Sequence, residues 1–420
     1  TISINALRSL LLLLPLAALA DDVTTEFGGH SKTRFLADVY PENSVFYPLT
    51  GNGASSLETE LRLNFAASKG AWSFDAAWQL YGAWGDRVEL MRDFSGASLP
   101  GFSHLPTDDR RLMNLTDTLS DDDKFAAVHR LDRLAITYST DNLVVRAGRQ
   151  AITWGNGLVF SPMDIVNPFD PTAVDTEYKA GDDMVYGQYL LASGNDIEFA
   201  HVFRRDPTTG DTDSFVNTTA IKYHGMFGDS EFDILVADSY NDTTIGFGGN
   251  RSVGGAVVHG DVVWVDSPDG GKFQLVANVS YSWVWGGKNI SGLVEYYFNE
   301  FGLPSGRYDL ASLSQNTTLL NRLQRGETFT VGRHYLAGGL SIELTPLWIV
   351  TPNLFANLED ASALLQVVSR NSLSDNAEIL AAINLPVGPS GSEFGGIGAV
   401  LPGTYLSSDL ALFVQFAFYF

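Results

Sequence analysis

The sequence predicts an all-β protein: a closed antiparallel transmembrane β-barrel of about 16 strands, within a range of roughly 14 to 18, with one long loop folded inward. Three observations support this prediction. Apolar and polar residues alternate with a period of two over many strand-length segments. After residue 20 the chain has no uncharged apolar run long enough for a membrane-spanning helix. The final segment, LALFVQFAFYF at 410–420, carries apolar side chains at alternate positions.

The first twenty residues, TISINALRSLLLLLPLAALA, have the pattern of a cleaved signal peptide. Arg8 supplies a positive charge, residues 10–16 form an apolar core, and Ala18-Leu19-Ala20 provides the small residues of a cleavage site. A membrane-anchor helix is the alternative interpretation. The apolar run is too short to span a bilayer and contains Pro15, so the sequence favours the signal peptide.

Composition excludes several classes of protein. The net charge is −23, with 49 acidic and 26 basic residues, whereas nucleic-acid binding needs a basic surface. The chain has no cysteine, so neither disulfides nor thiolate chemistry are available. None of the seven histidines lies in a catalytic or metal-binding motif, and neither GxSxG nor HExxH occurs. We therefore expect no enzymatic activity, no cofactor and no metal.

Alternation of apolar and polar residues identifies the strands. In LETELRLNF, Leu57, Leu61 and Phe65 share one face, and charged or amide residues occupy the other. The sixteen predicted strands begin near residue 57 and near residue 71, and continue at 128–140, 142–150, 184–193, 196–205, 215–226, 230–240, 253–266, 272–285, 289–300, 333–344, 347–358, 361–370, 375–386 and 405–420. Strands of this length separated by turn residues are typical of a transmembrane barrel.

Aromatic residues indicate which face contacts lipid. Phe273, Val279, Tyr281 and Trp285 lie on one stripe of a predicted strand, as an apolar band bordered by an aromatic girdle requires. A soluble β-sandwich gives the same periodicity, so alternation alone does not separate the two folds. The last strand favours the barrel. Closure pairs it with the first strand, so that no apolar strand edge is left unpaired and free to associate with another chain.

The predicted domains are a signal peptide, an N-terminal periplasmic or lumenal segment at 21–55, and a transmembrane barrel at 56–420. Three long loops interrupt the barrel, at 84–127, 151–183 and 301–332. With sixteen strands, the third of these loops would face the periplasm, against the usual asymmetry of such barrels. Either a strand is missing from the count between residues 240 and 330, or the third loop folds into the lumen.

The first loop contains DDRRLMNLTDTL, where Leu112, Leu115 and Leu119 have helical spacing after a capping Asp108. We therefore expect a helix in this part of the loop.

The second loop is the most distinctive segment. Gly155 and Gly157 favour turns, and Pro162, Pro168 and Pro171 forbid regular structure. Its aromatic and β-branched residues argue against disorder, so we expect a loop that folds into the lumen and narrows it.

Charged residues around this loop are candidates for a pore constriction, because rings of charged side chains set selectivity in pores. The alternative is that these residues pair with each other and only fix the loop. Arg146 and Arg149 have opposite parity, so both can face the lumen only if a bulge lies between them. The candidate constriction or lumen-lining residues are Arg133, Arg146, Arg149, Trp154, Asp164, Asp170, Asp175, Lys179, Asp182 and Asp183.

Three segments carry a family resemblance: RLDRLAITY, SWVWGGKNISGLVEYYFNEFG and, above all, the run WGNG…NPFDP…DTEYK…GDD. They resemble a widespread porin-like family of Gram-negative outer-membrane barrels, itself distantly similar to alginate-export barrels. The resemblance implies a barrel with a transport-like role and gives no substrate or binding residues. The alternating C-terminal strand ending in Phe420 also resembles the signal by which the barrel-assembly machinery recognises such proteins.

The sequence thus predicts an outer-membrane channel for passive or substrate-selective diffusion of small solutes, constricted by the loop at 151–183. The alternative is a barrel without transport function, either an outer-membrane enzyme or a structural, partner-binding barrel. The expected partners are outer-membrane lipid, the assembly machinery and lipopolysaccharide, which acidic loops could contact through divalent cations. Neither the solute nor the oligomeric state follows from the sequence.

Overall fold

The computed structural model describes residues 23–95, 105–304 and 306–420. The predicted signal peptide at 1–20 lies outside the described residues. Within the described part of the chain, no helix is long and apolar enough to cross a membrane.

A closed antiparallel barrel of 18 strands forms the protein. Each barrel strand pairs with its neighbours along the chain. The last strand, β21 (Leu410–Tyr419), returns to pair with the first, β1 (Thr24–Val39), between His30↔Tyr419 and Val39↔Leu410. The barrel strands are β1 (Thr24–Val39), β2 (Gly53–Lys69), β3 (Trp72–Trp84), β5 (Phe125–Ser139), β6 (Leu143–Gln150), β7 (Asp182–Leu190), β8 (Asp196–Val202), β9 (Thr218–Phe227), β10 (Ser230–Ser239), β11 (Asp242–Val253), β12 (Ala256–Ser267), β13 (Gly270–Trp285), β14 (Lys288–Asn299), β15 (His334–Thr345), β16 (Trp348–Asn357), β17 (Ser362–Ser374), β18 (Ala377–Val387) and β21 (Leu410–Tyr419).

The remaining elements lie in the loops. β4 (Thr116–Asp122) pairs with β5, and β19 (Ile397–Gly398) pairs with β20 (Tyr405–Leu406). Among the described residues the helices are α1 (Tyr47–Thr50), α2 (Asp86–Ser95), α3 (Leu310–Gln315) and α4 (Thr317–Arg325), together with a short 3₁₀ turn at Ser214–Val216.

The barrel prediction is confirmed, but two strands were missing from it. Residues 21–55 are not a separate N-terminal segment, because 24–39 form β1, which pairs with both β2 and β21. The second missing strand is β11, which lies between residues 240 and 330, where the count was in doubt. Adding these two strands raises the count from 16 to 18, and an even number places both termini of the barrel at the same end.

With the two added strands, the third long loop no longer falls on the periplasmic side of the barrel. All connections at one end of the barrel are short, including Gly70-Ala71, Gly228-Asp229 and Gly286-Gly287. We call this the short-turn end and the opposite one the long-loop end. The loops at 85–124, 151–181 and 300–333 all begin at the long-loop end. In transmembrane barrels the short turns face the periplasm and the long loops face outward, so this chain follows the rule.

The helix expected near Leu112 is absent. Thr116–Asp122 form β4 instead, and the helix of this loop is α2, earlier in the chain. Asp108 does not cap a helix: its carboxylate accepts hydrogen bonds from Arg149, the backbone N–H of Leu115 and the hydroxyl of Thr116. The helix prediction depended on Asp108 as an N-cap. In the structure its carboxylate binds the buried Arg149 instead.

The two faces of the wall differ in chemistry as predicted. On β13, Phe273 and Trp285 are exposed on the outside, while Gln274 and Asn278 are buried inside. Exposed aromatic residues near the short-turn end include Phe27, Trp72, Tyr189, Phe227, Tyr281, Trp283, Trp285, Trp348 and Phe420. An apolar exterior with aromatic residues at its border is the surface that a bilayer covers.

Candidate functional site: the inner loop and the lumen

The connection between β6 and β7, residues 151–181, folds into the barrel; we call it the inner loop. Its hydrogen bonds and ion pairs reach inward-facing residues on strands far apart around the wall. These wall residues are Lys32, Arg34, Glu198, Asp233, Asp261, Asn278, Glu295 and Gln366. The inner loop therefore crosses the lumen, as the sequence predicted.

The tip of the inner loop is held by Glu295 on β14. Its carboxylate accepts the backbone N–H groups of Leu158 at 2.7 Å, Val159 at 3.1 Å and Phe160 at 2.6 Å. Asn278 on the neighbouring strand donates its side-chain amide to the same carboxylate at 2.9 Å. Glu295 is fully buried, and hydrogen bonds to a charged acceptor are the strong ones. This carboxylate fixes the position of the tip.

Two more wall carboxylates hold Asn156. Its backbone N–H donates to Asp261 at 2.8 Å, and its side-chain amide donates to Asp261 and to Asp233, each at 3.0 Å. The approach is so close that a Cβ at Gly248 of β11 would lie 1.9 Å from the Asp261 carboxylate. Only glycine fits there, so the sequence of β11 is adapted to the docked loop.

The base of the inner loop is closed by Lys179. Its ammonium donates to Asp164 at 2.6 Å and to the backbone carbonyl of Ile152 at 2.5 Å. Burial raises the pKa of Asp164 to about 6 although Lys179 opposes the shift, and burial also lowers the pKa of Lys179. Both residues are buried, so this predicted pair joins two parts of the loop to each other.

The far side of the inner loop reaches the seam where the barrel closes. Asp175 accepts from Lys32 at 2.7 Å and from Arg34 at 3.2 Å, both on β1. Glu177 pairs with Lys32 and accepts from the hydroxyl of Tyr419 on β21. The inner loop thus bridges β14 and the seam formed by β1 and β21.

The remaining predicted residues form a buried network beside the loop. Arg149 is fully buried and binds Asp183 through two parallel hydrogen bonds, at 2.8 and 3.0 Å, and Asp108 at 3.0 Å. Asp182 pairs with Arg204 at 3.1 Å. These contacts match the pairing alternative weighed for the sequence: the three predicted residues have protein partners and little contact with solvent.

The two arginines keep the opposite parity that the sequence predicted, because β6 pairs with β5 and β7 without a register shift between Arg146 and Arg149. Along this strand no bulge brings both side chains into the lumen. Arg149 is instead covered by the segment at 108–113, where Asp108 and the carbonyl of Met113 accept its hydrogen bonds. Arg146 is half-buried and donates to the hydroxyl of Thr137, with no carboxylate partner in the described part of the chain. A role for Arg146 as a pore-lining cation stays a prediction of the sequence.

Three further predicted residues are placed in or beside the lumen. The guanidinium of Arg133 binds the side chain of Asp132 and the carbonyl of Lys179. Trp154 is buried and donates its indole N–H to Glu198 at 2.7 Å. Asp170 is exposed and accepts from the backbone N–H of Thr172.

A cavity of about 590 Å³ lies between the inner loop and the wall formed by β14 to β17; we call it the passage. Of the 24 residues that line it, three are charged: Asp164, Asp170 and Arg370. The wall side of its lining consists of Leu293, Ala337, Gly338, Gly339, Ser341, Ile349, Thr351, Asn353, Phe355, Gln366, Val368 and Arg370. Hydroxyls, amides and apolar side chains alternate here, whereas the ion pairs concentrate on the opposite wall.

The sequence could not identify the passage wall. Thr351, Asn353 and Gln366 have the inward parity of ordinary strand residues, and nothing in their spacing links them to the inner loop. In the structure, Asn353 donates to Gln366 at 3.0 Å, and Gln366 donates to the carbonyl of Thr172 at 2.9 Å. Only this contact across the lumen distinguishes the two amides.

No protein-family model matches the chain, and no curated protein matches it. Solved structures do match. A BenF-like porin from Pseudomonas fluorescens Pf-5 aligns over 95% of this chain and 99% of its own, with 9% identity and a TM-score of 0.54. OccAB1 from Acinetobacter baumannii aligns over 96% and 97%, with 9% identity and a TM-score of 0.54. OccAB2 from the same organism aligns over 94% and 98%, with 6% identity and a TM-score of 0.53. At these identities the likeness concerns the fold, which is that of a porin barrel; similarity to alginate-export barrels stays a prediction.

Proposed function

We propose that this protein is an outer-membrane channel through which small solutes diffuse, narrowed by the inner loop. The observation that carries the proposal is a closed barrel with an apolar exterior and an inner loop that crosses the lumen but leaves the passage. A barrel of this size encloses water unless it is plugged. The fold shared with a BenF-like porin supports the same function.

Solutes move along the wall of β14 to β17 in this proposal. Three charged residues among 24 give the passage little net charge, so we expect weak discrimination between anions and cations. Its hydroxyls and amides offer hydrogen bonds, and its apolar side chains offer contacts for hydrocarbon groups. This lining suits small, uncharged or weakly charged solutes.

We also propose a non-enzymatic role. Glu295 and Asp261 are bonded to the inner loop, and Asp183 is bonded to the guanidinium of Arg149. In this proposal these carboxylates hold the structure in place and do not transfer protons to a substrate. Contacts with lipopolysaccharide and with the assembly machinery remain predictions of the sequence.

Single-channel recording in planar bilayers tests the proposal. The wild-type protein should give resolved open currents. Thr351→Trp places a large side chain in the passage and should lower the conductance. Thr243→Trp is the matched control, because Thr243 is exposed on the outer face of β11. A folded barrel that carries no current, or equal currents in both tryptophan variants, would contradict the proposal.

A further inference from the structure

A second cavity lies among the long loops, outside the lumen passage. It has a volume of about 350 Å³, within the range of pockets that hold small ligands. We call it the outer pocket. Its lining comes from the end of β1, the loop that contains α1, helices α2, α3 and α4, and the segment around β19 and β20. Four stretches of the chain converge on it, at 38–46, 87–91, 310–331 and 397–408, so it is a feature of the assembled loops and not a groove within one loop.

The lining of the outer pocket is mainly apolar. Ten of its fourteen residues are apolar, among them Phe46, Met91, Leu313 and Leu323. The pocket lies between two buried apolar clusters: one contains Phe46, and the other contains Leu313 and Leu323. Apolar side chains that border a cavity at the aqueous end of a barrel stay in contact with water, which close packing would exclude. An apolar ligand that fills the cavity therefore gains free energy from burial.

The polar part of the lining is small and electrically balanced. Arg87 donates its Nε–H to Asp38 at 2.8 Å, and these are the two charged residues of the lining. The other polar members are Ser407 and Ser408. A ligand with a charged head would have to break the ion pair or bring an unpaired charge against apolar walls, which is costly. A hydroxyl-bearing head can instead bond to the guanidinium edge or to a serine hydroxyl.

We propose that the outer pocket binds the apolar chain of an uncharged amphipathic molecule, with its hydroxylated head at Arg87 and Ser408. The ligand class is an alkyl or aromatic group carried on a neutral, hydrogen-bonding head. The site is separate from the passage: the two cavities share no lining residue. Binding there does not require that the barrel conduct.

Because the sequence contains no cysteine, a thiol-protection assay reports only on a thiol that is introduced. Ser408→Cys introduces one thiol into the lining, and Ser214→Cys introduces one at an exposed position of another long loop. The variants are reconstituted in nanodiscs and treated with a water-soluble maleimide. The probe is octyl glucoside below its micellar concentration, and glucose alone is the head-group control. At about five times its Kd, the probe should slow modification at the pocket thiol about sixfold, by the factor 1 + [L]/Kd.

Three outcomes support the site: protection by octyl glucoside at the pocket thiol alone, no protection by glucose, and weaker protection by octanoate and octylammonium. Met91→Trp in the Ser408→Cys background fills the cavity and should abolish protection while the barrel stays folded, as judged by its heat-dependent shift in gel electrophoresis. Equal slowing at both thiols, or none at either, would overturn the proposal. Equal protection by the charged amphiphiles would overturn the assignment of a neutral head.

Discussion

The carboxylate of Glu295 on the barrel wall accepts the backbone N–H of Phe160, at the tip of the inner loop, at 2.6 Å. The two residues are 135 positions apart in the chain. One side chain of the wall thereby sets the position of a loop that crosses the lumen, because two further N–H groups of the tip bind the same carboxylate. The width of the passage depends on contacts of this kind.

Replacing Glu295 by Gln should loosen the inner loop. The amide lacks the negative charge and has one acceptor oxygen, so it cannot serve three backbone donors. We expect a loss of about 3 kcal/mol in the free energy of unfolding, since hydrogen bonds to a charged group contribute about 1.5–3 kcal/mol each. Urea titration followed by tryptophan fluorescence measures the loss, and single-channel traces should become noisier.

Glu343→Gln is the matched control, because Glu343 lies near the short-turn end and accepts from Asn289, away from the inner loop. A quiet trace and full stability for Glu295→Gln would show that the tip is held by other contacts.

Asp183→Asn tests whether the Arg149 network is structural. The substitution leaves a fully buried guanidinium with an incomplete set of acceptors. Breaking one partner of a buried ion pair costs about 3–5 kcal/mol. We therefore expect a clear drop in urea resistance and, in the molecules that still fold, unchanged ion selectivity. The exposed Asp170→Asn should leave stability unchanged; a shift in selectivity without loss of stability for Asp183→Asn would assign that residue to the pore.

Arg146→Gln should change ion selectivity and leave stability unchanged, the reverse of the result expected for Asp183→Asn. Arg146 faces the lumen with a neutral hydroxyl as its hydrogen-bond partner. A charge about 8 Å from a passing ion in water contributes about 0.5 kcal/mol, or roughly a twofold change in permeability ratio. The reversal potential in a salt gradient should shift toward cation selectivity, with stability retained. Arg251→Gln on the outer face is the matched control and should leave the reversal potential where it is; an equal shift in both variants would mean that Arg146 does not act in the lumen.

Much of the wall could be predicted from the sequence, because one face meets lipid and the other meets water. β1 was not predicted because the apolar stripe on its outward face is interrupted. Between Phe27 and Phe35 that face carries small or polar residues, namely Gly29, Ser31 and Thr33. Its inward face is charged, and charge next to weak apolarity resembles a solvated segment.

β11 was missing from the predicted strands for a different reason. Its sequence, DTTIGFGGNRSV, reads as a turn because of its glycines. Gly248 is required by the approach of Asn156 and Asp261, a contact made only after the inner loop docks. A sequence-based rule for strands has no access to that tertiary contact.

The candidate site was predicted in part. Pairing of Arg149, Asp182 and Asp183 could be anticipated as a general property of buried charge, but not with which partners. Glu295 has inward parity in the sequence, yet its bonds to the inner loop depend on how the loop crosses the lumen. Long-range contacts of this kind decide the pore, and local patterns do not record them.

The long loops should respond to pH through Glu393, in the loop between β18 and β21. Burial raises the pKa of Glu393 to about 7, although hydrogen bonds from Tyr335, Asn357 and the N–H of Val331 oppose the shift. A carboxyl group whose pKa is higher in the folded state than in the unfolded state, where it is about 4.3, stabilises the fold fully below pH 4.3. This stabilisation is lost as the pH rises to about 7.

We therefore expect hydrogen exchange at residues 388–396 to show greater opening at pH 8 than at pH 5, after correction for the intrinsic exchange rate. Glu393→Gln, which stays neutral, should remove the difference. Equal protection of this segment at both pH values in the wild-type protein would show that Glu393 is not neutral at pH 5 in the folded loop.

Deletion of residues 156–180 tests the central claim most directly, because it removes the part of the inner loop that crosses the lumen. With single channels recorded side by side in the same bilayer and salt, the deleted barrel should conduct roughly twofold or more above the wild type, since a barrel of this size is wide enough for an open aqueous lumen. Equal conductance in the two proteins would contradict the account, because it would place the loop outside the path of the ions.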